Sequence, residues 1–137
     1  MYTAATTVRV RYAETDKMNV VYHGNYAQYF EVGRVEAMRA LGYSYKEMEA
    51  DGVIMPVVEL NCKFFRPALY DDLLTIKTLL KELPTDYKIA FRQEIYNENG
   101  KLLAFAQVVL YFMDAATMTK TTIPNRLANL LAAFFKV

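Results

Sequence analysis

The chain has 137 residues, 54% of them hydrophobic, with eleven tyrosines and eight phenylalanines; this suits one domain with a real core and argues against disorder. A formal net charge of +1 gives no strong field for nucleic acid or an anionic membrane surface. A single cysteine cannot form an internal disulfide, and no charged-then-apolar leader opens the chain. We therefore expect one domain over residues 1–137, cytoplasmic, with no nucleic-acid or membrane partner.

The residue types also exclude several kinds of enzyme. Ser44 is the only serine, and no G-x-S-x-G motif surrounds it, which makes a serine hydrolase improbable. One histidine and one cysteine cannot build the usual zinc sites, and the five glycines form neither a P-loop nor a dinucleotide fingerprint. By elimination, an enzyme with this sequence would depend on a carboxylate and on backbone amides.

The N-terminal third predicts a strand, a polar loop and a long helix. Alternation in residues 3–13 indicates the strand. The loop from Asp16 to Tyr26 follows, carrying an acid, the only histidine and a glycine. The helix runs from there to Leu41, with Asn25 as its predicted N-cap and Gln28 three residues later, as in a capping box. Apolar residues occupy most sides of this helix, so we expect it to be buried on most sides.

The rest of the chain predicts four extended segments and a C-terminal helix. The segments cover residues 53–66, 72–81, 87–95 and 102–113. Pro56 favours an edge position or a bulge for the first, and the last is apolar on both faces, as in a central strand. Short turns between them favour antiparallel pairing. The fold class is α+β: a curved antiparallel sheet wrapped around one apolar helix, with a second helix starting near Asn125.

Three landmarks give the chain a family resemblance. The loop from Asp16 to Tyr26, with the helical segment Tyr29 to Glu36, resembles hotdog-fold acyl-CoA thioesterases of the 4-hydroxybenzoyl-CoA thioesterase-like branch. Residues 64–72 look like the second landmark of that family, and residues 99–104 through 112–114 look like the third. The resemblance spans nearly the whole chain. It implies the hotdog fold and hydrolysis of an acyl-CoA thioester to a carboxylic acid and free coenzyme A, with no metal or redox cofactor.

By this resemblance, Asp16 attacks the thioester or activates water, and the backbone N–H of His23 holds the developing oxyanion. A carboxylate over a thioester carbonyl suits either role, and amides at a helix start suit an oxyanion. From the residues alone, Asp16 is equally well explained as a turn residue. The chain departs from the family at Asn19, where glycine is usual; asparagine tolerates left-handed backbone angles, so we expect the loop to keep its shape.

Three more residues near the loop are candidate substrate contacts. Tyr22 is expected to form a wall of the acyl pocket or part of the core, and Asn19 borders the space for substrate. The side chain of His23 has two interpretations, in which it orients substrate or Asp16, or only packs in the loop. Glu31 forms an ion pair with Arg34, three residues later, in the simpler interpretation, and faces the pocket in the other.

Coenzyme A carries phosphates, so basic residues are expected at the entrance to its site. The candidates are Lys63, Arg66, Lys88 and Arg92, on the more polar strand faces. For each one alone, a solvated sheet face is the favoured explanation, and Arg66 is also explained as a structural partner of Asp71 or Asp72.

Two further functions stay open at this point. Another hotdog reaction, hydration or dehydration of an acyl thioester, usually places its acid or histidine on the central helix, whereas here the acid precedes it. A non-catalytic module that binds an acyl thioester or a carrier protein is the other. Open sheet edges and apolar helix residues such as Val32 and Val35 also predict a homodimer joined edge to edge, or a homotetramer.

Overall fold

A computed structural model describes residues 1–136. Val137, the last residue of the predicted domain, lies outside the described residues. The main strands and helices follow the predicted order, although the segment predicted over residues 53–66 is divided into two strands. They are β1 (Tyr2–Arg9), α1 (Tyr26–Leu41), α2 (Tyr45–Ala50), β2 (Val53–Ile54), β3 (Val57–Phe64), β4 (Leu73–Leu80), β5 (Lys88–Tyr96), β6 (Leu102–Tyr111), β7 (Met113–Asp114), β8 (Thr119–Lys120) and α3 (Asn125–Ala132).

Five strands form one antiparallel sheet in the order β1-β4-β5-β6-β3. The three short strands β2, β7 and β8 form a second small sheet. β3 is an edge strand, and its register against β6 shifts between Val57 and Glu59, as the proline just before it predicts. β6 lies inside the sheet, as expected. Its face away from α1 is less covered than predicted, since Gln107 is exposed and Phe105 half-buried.

The long helix α1 lies against one face of this sheet, and Gly33 marks the closest approach. A Cβ built on Gly33 would lie 2.5 Å from Ile76 Cγ2 and 2.8 Å from Gln93 Nε2. Gln93 is fully buried, and its amide donates to the Phe30 carbonyl of α1 and to Thr78 Oγ1 of β4. Glycine at position 33 therefore lets the helix backbone reach the polar groups of the sheet.

The predicted helix cap is wrong. A 3₁₀ turn over His23–Asn25 runs directly into α1, so Asn25 already has helical angles (φ −81°, ψ −13°) and its side chain makes no capping bond. The Asn25 amide instead donates to the Glu14 carbonyl at 2.9 Å. The C-terminal end follows the prediction, because Gly42 adopts the left-handed conformation with φ 110°.

One strand boundary also differs from the prediction. β1 ends at Arg9, and residues Tyr12–Glu14 form a 3₁₀ turn in place of continued strand. Within residues 1–136, no helix combines the length and the apolar character needed to cross a membrane.

Candidate active site

Asp16 lies at the start of a tight hairpin between β1 and α1. The Asp16 N–H donates to the Val20 carbonyl at 2.9 Å, the Asn19 N–H donates to the Asp16 carbonyl at 3.0 Å, and Thr15 pairs with Val21. Asn19 adopts a positive φ of 62°, the left-handed region in which asparagine is better tolerated than most residues. The loop at Asn19 therefore adopts the conformation that glycine usually provides.

The carboxylate of Asp16 has one oxygen engaged and one free. Oδ1 accepts the Met18 N–H at 2.8 Å, which is the turn-stabilising role that the simpler interpretation of this residue predicts. Oδ2 accepts no hydrogen bond from any residue of the described 1–136. Because the side chain is only half-buried, the same carboxylate that braces the turn presents a free oxygen to the surface.

The turn that leads into α1 supplies free backbone donors. The Asn25 N–H donates to the Tyr22 carbonyl, and the Tyr22 N–H to the Glu14 carbonyl, both at 2.9 Å. The N–H groups of His23 and Gly24 find no acceptor within residues 1–136, as is general for the first amides of a helix. A Cβ on Gly24 would lie 2.8 Å from the Tyr22 ring, so glycine leaves room for that ring. The two free amides lie at the positive end of the helix dipole.

A buried acid that the sequence analysis did not single out holds this turn. Glu14 is 7% exposed; its Oε1 accepts the Tyr29 hydroxyl at 2.8 Å and the Arg11 N–H at 2.9 Å, and its Oε2 accepts the Arg11 guanidinium. Burial alone would raise the pKa of Glu14, but these hydrogen bonds and the charge of Arg11 outweigh it and lower the pKa. The only available signal was an acid two residues before Asp16, which does not predict burial.

The second and third landmarks of the resemblance meet the first here. Val20 pairs with Leu69, and the Val21 N–H donates to the Ala68 carbonyl at 2.8 Å. The Ala68 N–H in turn donates to the Tyr26 hydroxyl of α1 at 3.0 Å. The Phe65 N–H donates to the Leu103 carbonyl of β6 at 2.8 Å. The three landmarks, distant in sequence, thus form one hydrogen-bonded unit around the Asp16 loop.

The candidate substrate residues lie in two places. Tyr22 and His23 are exposed beside the loop, with ring centroids 4.4 Å apart. Glu31 is exposed on α1 and lines a pocket between α1 and β3 together with Arg34. The ion pair between Glu31 and Arg34 is absent from the described residues, and Arg34 donates to Gln93 Oε1 at 3.0 Å instead. Tyr22 does not line that pocket.

The four basic candidates are divided between two faces. Arg66 is exposed, in the segment over residues 64–72 that is hydrogen-bonded to the Asp16 loop. Within residues 1–136 it forms no ion pair with Asp71 or Asp72. Lys63 and Arg92 share the sheet face opposite α1, on which the Arg92 guanidinium lies 4.4 Å from the Phe105 ring centroid. Lys88 and Arg92 line a cleft of about 510 Å³ beneath the β4–β5 connection. The structure thus brings the segment that carries Arg66 to the Asp16 loop and places the other three on the far face.

Comparison with known proteins decides the family. The model of the thioesterase-like superfamily matches residues 10–131. The chain belongs to this superfamily. The acyl-CoA thioester hydrolase YbgC of Escherichia coli is 31% identical over 118 residues, covering 86% of this chain and 87% of the relative. The acyl-CoA thioesterase YbgC of Helicobacter pylori is 32% identical over 136 residues, covering 91% and 97%.

Solved structures agree with the family. The DHNA-CoA thioesterase of Staphylococcus aureus superposes with a TM-score of 0.88 at 32% identity, covering all of this chain and 97% of the other. A 4-hydroxybenzoyl-CoA thioesterase variant bound to 4-hydroxybenzoyl-CoA superposes with a TM-score of 0.84 at 20% identity, covering 95% and 99%, and supports the fold alone. These likenesses confirm the predicted hotdog fold, the predicted family and the predicted enzyme class, acyl-CoA thioesterase.

Proposed function

We propose that this chain hydrolyses acyl-CoA thioesters at the Asp16 loop, releasing a carboxylic acid and free coenzyme A. One observation carries the proposal: a carboxylate with a free oxygen and two unpaired amides lie on the same short loop, at the start of the central helix. The membership of the thioesterase-like superfamily supports the same chemistry. The enzyme acts as a single domain in the cytoplasm and needs no metal or redox cofactor.

The proposed reaction uses Asp16 against the thioester carbonyl carbon. As a general base, its free oxygen takes a proton from water while the water oxygen attacks that carbon. As a nucleophile, it attacks the carbon directly, the coenzyme A thiolate leaves to give an anhydride, and water then cleaves the anhydride and regenerates Asp16. In both routes the carbonyl oxygen becomes an oxyanion that the His23 and Gly24 amides stabilise. The intermediate then expels the coenzyme A thiolate.

The position of Asp16 favours hydrolysis over hydration or dehydration, the other hotdog reactions. Asp16 lies on the loop before α1. The acid on the helix, Glu31, is exposed and lies three residues before Arg34. The test is a panel of saturated and 2,3-unsaturated acyl-CoAs, with thiol release and hydration followed separately. We expect thiol release with no hydration. Hydration without thiol release would contradict the proposal, and binding without either reaction would support a non-catalytic module.

Arg66 is the best placed of the four basic residues to meet a phosphate of coenzyme A, because its segment contacts the Asp16 loop. We expect Arg66→Ala to raise KM severalfold with little change in kcat, and added salt to weaken binding of the wild type. Lys63→Ala, on the opposite face, serves as the matched control. Unchanged KM in Arg66→Ala with raised KM in Lys88→Ala or Arg92→Ala would place the nucleotide on the far face.

A homodimer through β3 completes the proposal, with a homotetramer as the larger assembly. β3 is an edge strand of eight residues, and its apolar side chains are exposed, among them Val57 (47%), Leu60 (44%) and Phe64 (52%). Long, apolar, unpaired edges are sites of strand addition. A second copy paired along β3 would cover these side chains and extend the sheet.

A further inference from the structure

The side chain of Asn25 joins two segments on either side of the Asp16 loop, and the proposed reaction gives it no role. Asn25 is half-buried and already has helical backbone angles at the start of α1. Its amide nitrogen Nδ2 donates to the Glu14 carbonyl at 2.9 Å, eleven residues earlier in the chain. The bond therefore connects the beginning of the helix to the turn that precedes the loop.

The Glu14 carbonyl is the acceptor that this turn shares. It also accepts the Tyr22 N–H at 2.9 Å, and a carbonyl oxygen has two lone pairs, so both bonds form together. Tyr22 and Asn25 directly flank His23 and Gly24 in the sequence. The two residues between them are therefore held at both ends by one oxygen atom.

The remaining backbone bonds of the turn leave two neighbouring amides free. The Asn25 N–H donates to the Tyr22 carbonyl at 2.9 Å, and the Tyr26 N–H donates to the His23 carbonyl. Neither the His23 N–H nor the Gly24 N–H has an acceptor in the part of the chain that the structure describes. The bonds that Asn25 makes thus determine where these two free donors point.

Packing alone does little to hold this turn. Tyr22, His23 and Gly24 are all exposed, and glycine has the widest choice of backbone angles. Donors stabilise an oxyanion most when they already point at it, because no reorganisation is then needed during the reaction. A displacement of about 1 Å at an active site can cost about 10²-fold in rate. The turn therefore depends on its hydrogen bonds, and the Asn25 side chain supplies one of the two that anchor it to Glu14.

We propose that Asn25 is a positioning residue for thioester hydrolysis, whose side chain directs the His23 and Gly24 amides at the oxyanion. This inference rests on the proposed function, because it concerns the same reaction and the same loop. Asn25 acts through the backbone of the turn and transfers no proton. Its contribution arises in the transition state, where negative charge develops on the carbonyl oxygen, and not in the binding of the substrate.

Asn25→Ala and Asn25→Asp test the proposal through kcat and KM. Alanine removes the bond to Glu14, whereas aspartate keeps the size of the side chain but places a carboxylate oxygen against the Glu14 carbonyl. We expect kcat to fall by about tenfold or more in both variants, with KM within about twofold of the wild type. Asn125→Ala is the matched control, because Asn125 is an exposed asparagine at the start of α3, and its replacement should change neither constant.

A substituent effect distinguishes positioning of the amides from a loss of folded protein. The two substrates are an acyl-CoA that the wild type hydrolyses and its 2-fluoro derivative, in which fluorine withdraws electrons and stabilises the developing oxyanion. When the amides are poorly directed, the reaction depends more on this stabilisation by the substrate. We expect the ratio of kcat/KM, fluorinated over unsubstituted, to be about threefold or more higher in Asn25→Ala than in the wild type. Because the ratio is taken within each variant, the amount of folded enzyme does not alter it.

The pH profile separates an effect on the amides from an effect on Asp16. Asparagine does not ionise, so the pH at which kcat reaches half of its maximum should be the same in the wild type and in Asn25→Ala. A shift of this pH would overturn the inference, because it would mean that loss of the Asn25 side chain disturbs Asp16 and not the oxyanion amides.

Two further results would overturn the inference. A kcat within about twofold of the wild type in both variants would mean that the turn keeps its shape without the Asn25 side chain. A lowered kcat with an unchanged fluorine ratio would mean that Asn25 only stabilises the fold. If Asn25→Ala does not fold, Asn25→Asp decides by the same ratio. A wild type that hydrolyses no acyl-CoA would contradict the proposed function itself, and the inference would fail with it.

Discussion

At the scale of single residues, Glu14 holds the loop that carries Asp16. Glu14 accepts hydrogen bonds from Tyr29 on α1 and from Arg11 on the preceding turn, and its carbonyl accepts from Tyr22 and Asn25. Glu14 thereby connects the turn before the Asp16 loop to the helix α1 that follows the loop. Its role is to position the loop, and it has no contact that would make it a rival to Asp16.

The first prediction concerns Glu14→Gln. The folded pKa of Glu14 is lowered, whereas an unfolded glutamate titrates near about 4.3. The carboxylate therefore stabilises the fold fully above about pH 5, and this contribution is lost as the pH falls through the folded pKa. We expect Glu14→Gln to lower the free energy of unfolding by roughly 1–2 kcal/mol at pH 7, and the difference from wild type to shrink toward pH 3.

Urea unfolding at pH 7 and at low pH measures this difference. Glu49→Gln is the control, because Glu49 is exposed on α2 and its substitution should change stability little at either pH. A difference between wild type and Glu14→Gln that stays constant with pH would mean that the charge of Glu14 does not contribute to stability.

At the scale of elements, the alternation of apolar and polar residues predicted most of the sheet. The predicted helix cap was wrong because of one hydrogen bond. The faces of β4 and β5 largely follow from their sequence period, since their buried and less buried residues alternate. Nearly all of β3 is exposed, on both faces. The cap at Asn25 failed because the Asn25 amide bonds to Glu14, eleven residues earlier, and a local rule cannot include such a contact. The burial of Arg34 also depends on a distant partner, Gln93, so the sequence predicted only a local ion pair.

The second prediction tests the contact of α1 with the sheet. A side chain at position 33 would collide with Ile76, Thr78 and Gln93, so we expect Gly33→Val to lower the free energy of unfolding by about 2 kcal/mol or more. Ala40→Val, on an exposed position of the same helix, introduces the same residue and should cost only about 0.5 kcal/mol. Equal losses in both variants, measured by urea unfolding, would show that helix propensity and not crowding is responsible.

At the scale of the whole molecule, the main feature is a group of exposed apolar side chains along the edge strand β3. Val57, Val58, Leu60, Phe64 and Phe65 are each between 44% and 55% exposed. The pocket between α1 and β3 opens on the same side, since Val57 and Leu60 line it. A second copy along β3 would cover the apolar strand and complete the walls of the pocket together.

The third prediction is that the protein, at micromolar concentration, scatters light as a multiple of its 15.8 kDa chain mass, with the dimer as the smallest species. Val58→Lys should weaken this assembly, because it places a charge on an apolar edge strand. Lys77→Ala, on the exposed outward face of β4, is the control. A wild type that scatters only as a monomer would contradict the proposed edge-to-edge dimer.

The most direct test of the central claim is the turnover of Asp16→Asn on an acyl-CoA that the wild type hydrolyses. This change keeps the size of the side chain and an oxygen for the Met18 N–H, but removes the charge and the basicity. Since positioned acid–base groups contribute about 10²–10⁴-fold, we expect kcat to fall by about 10²-fold or more, with substrate binding and stability retained. Glu31→Gln is the parallel variant, and it should keep most of its turnover. Near-normal turnover in Asp16→Asn together with a collapse in Glu31→Gln would contradict the account and move the chemistry onto the helix.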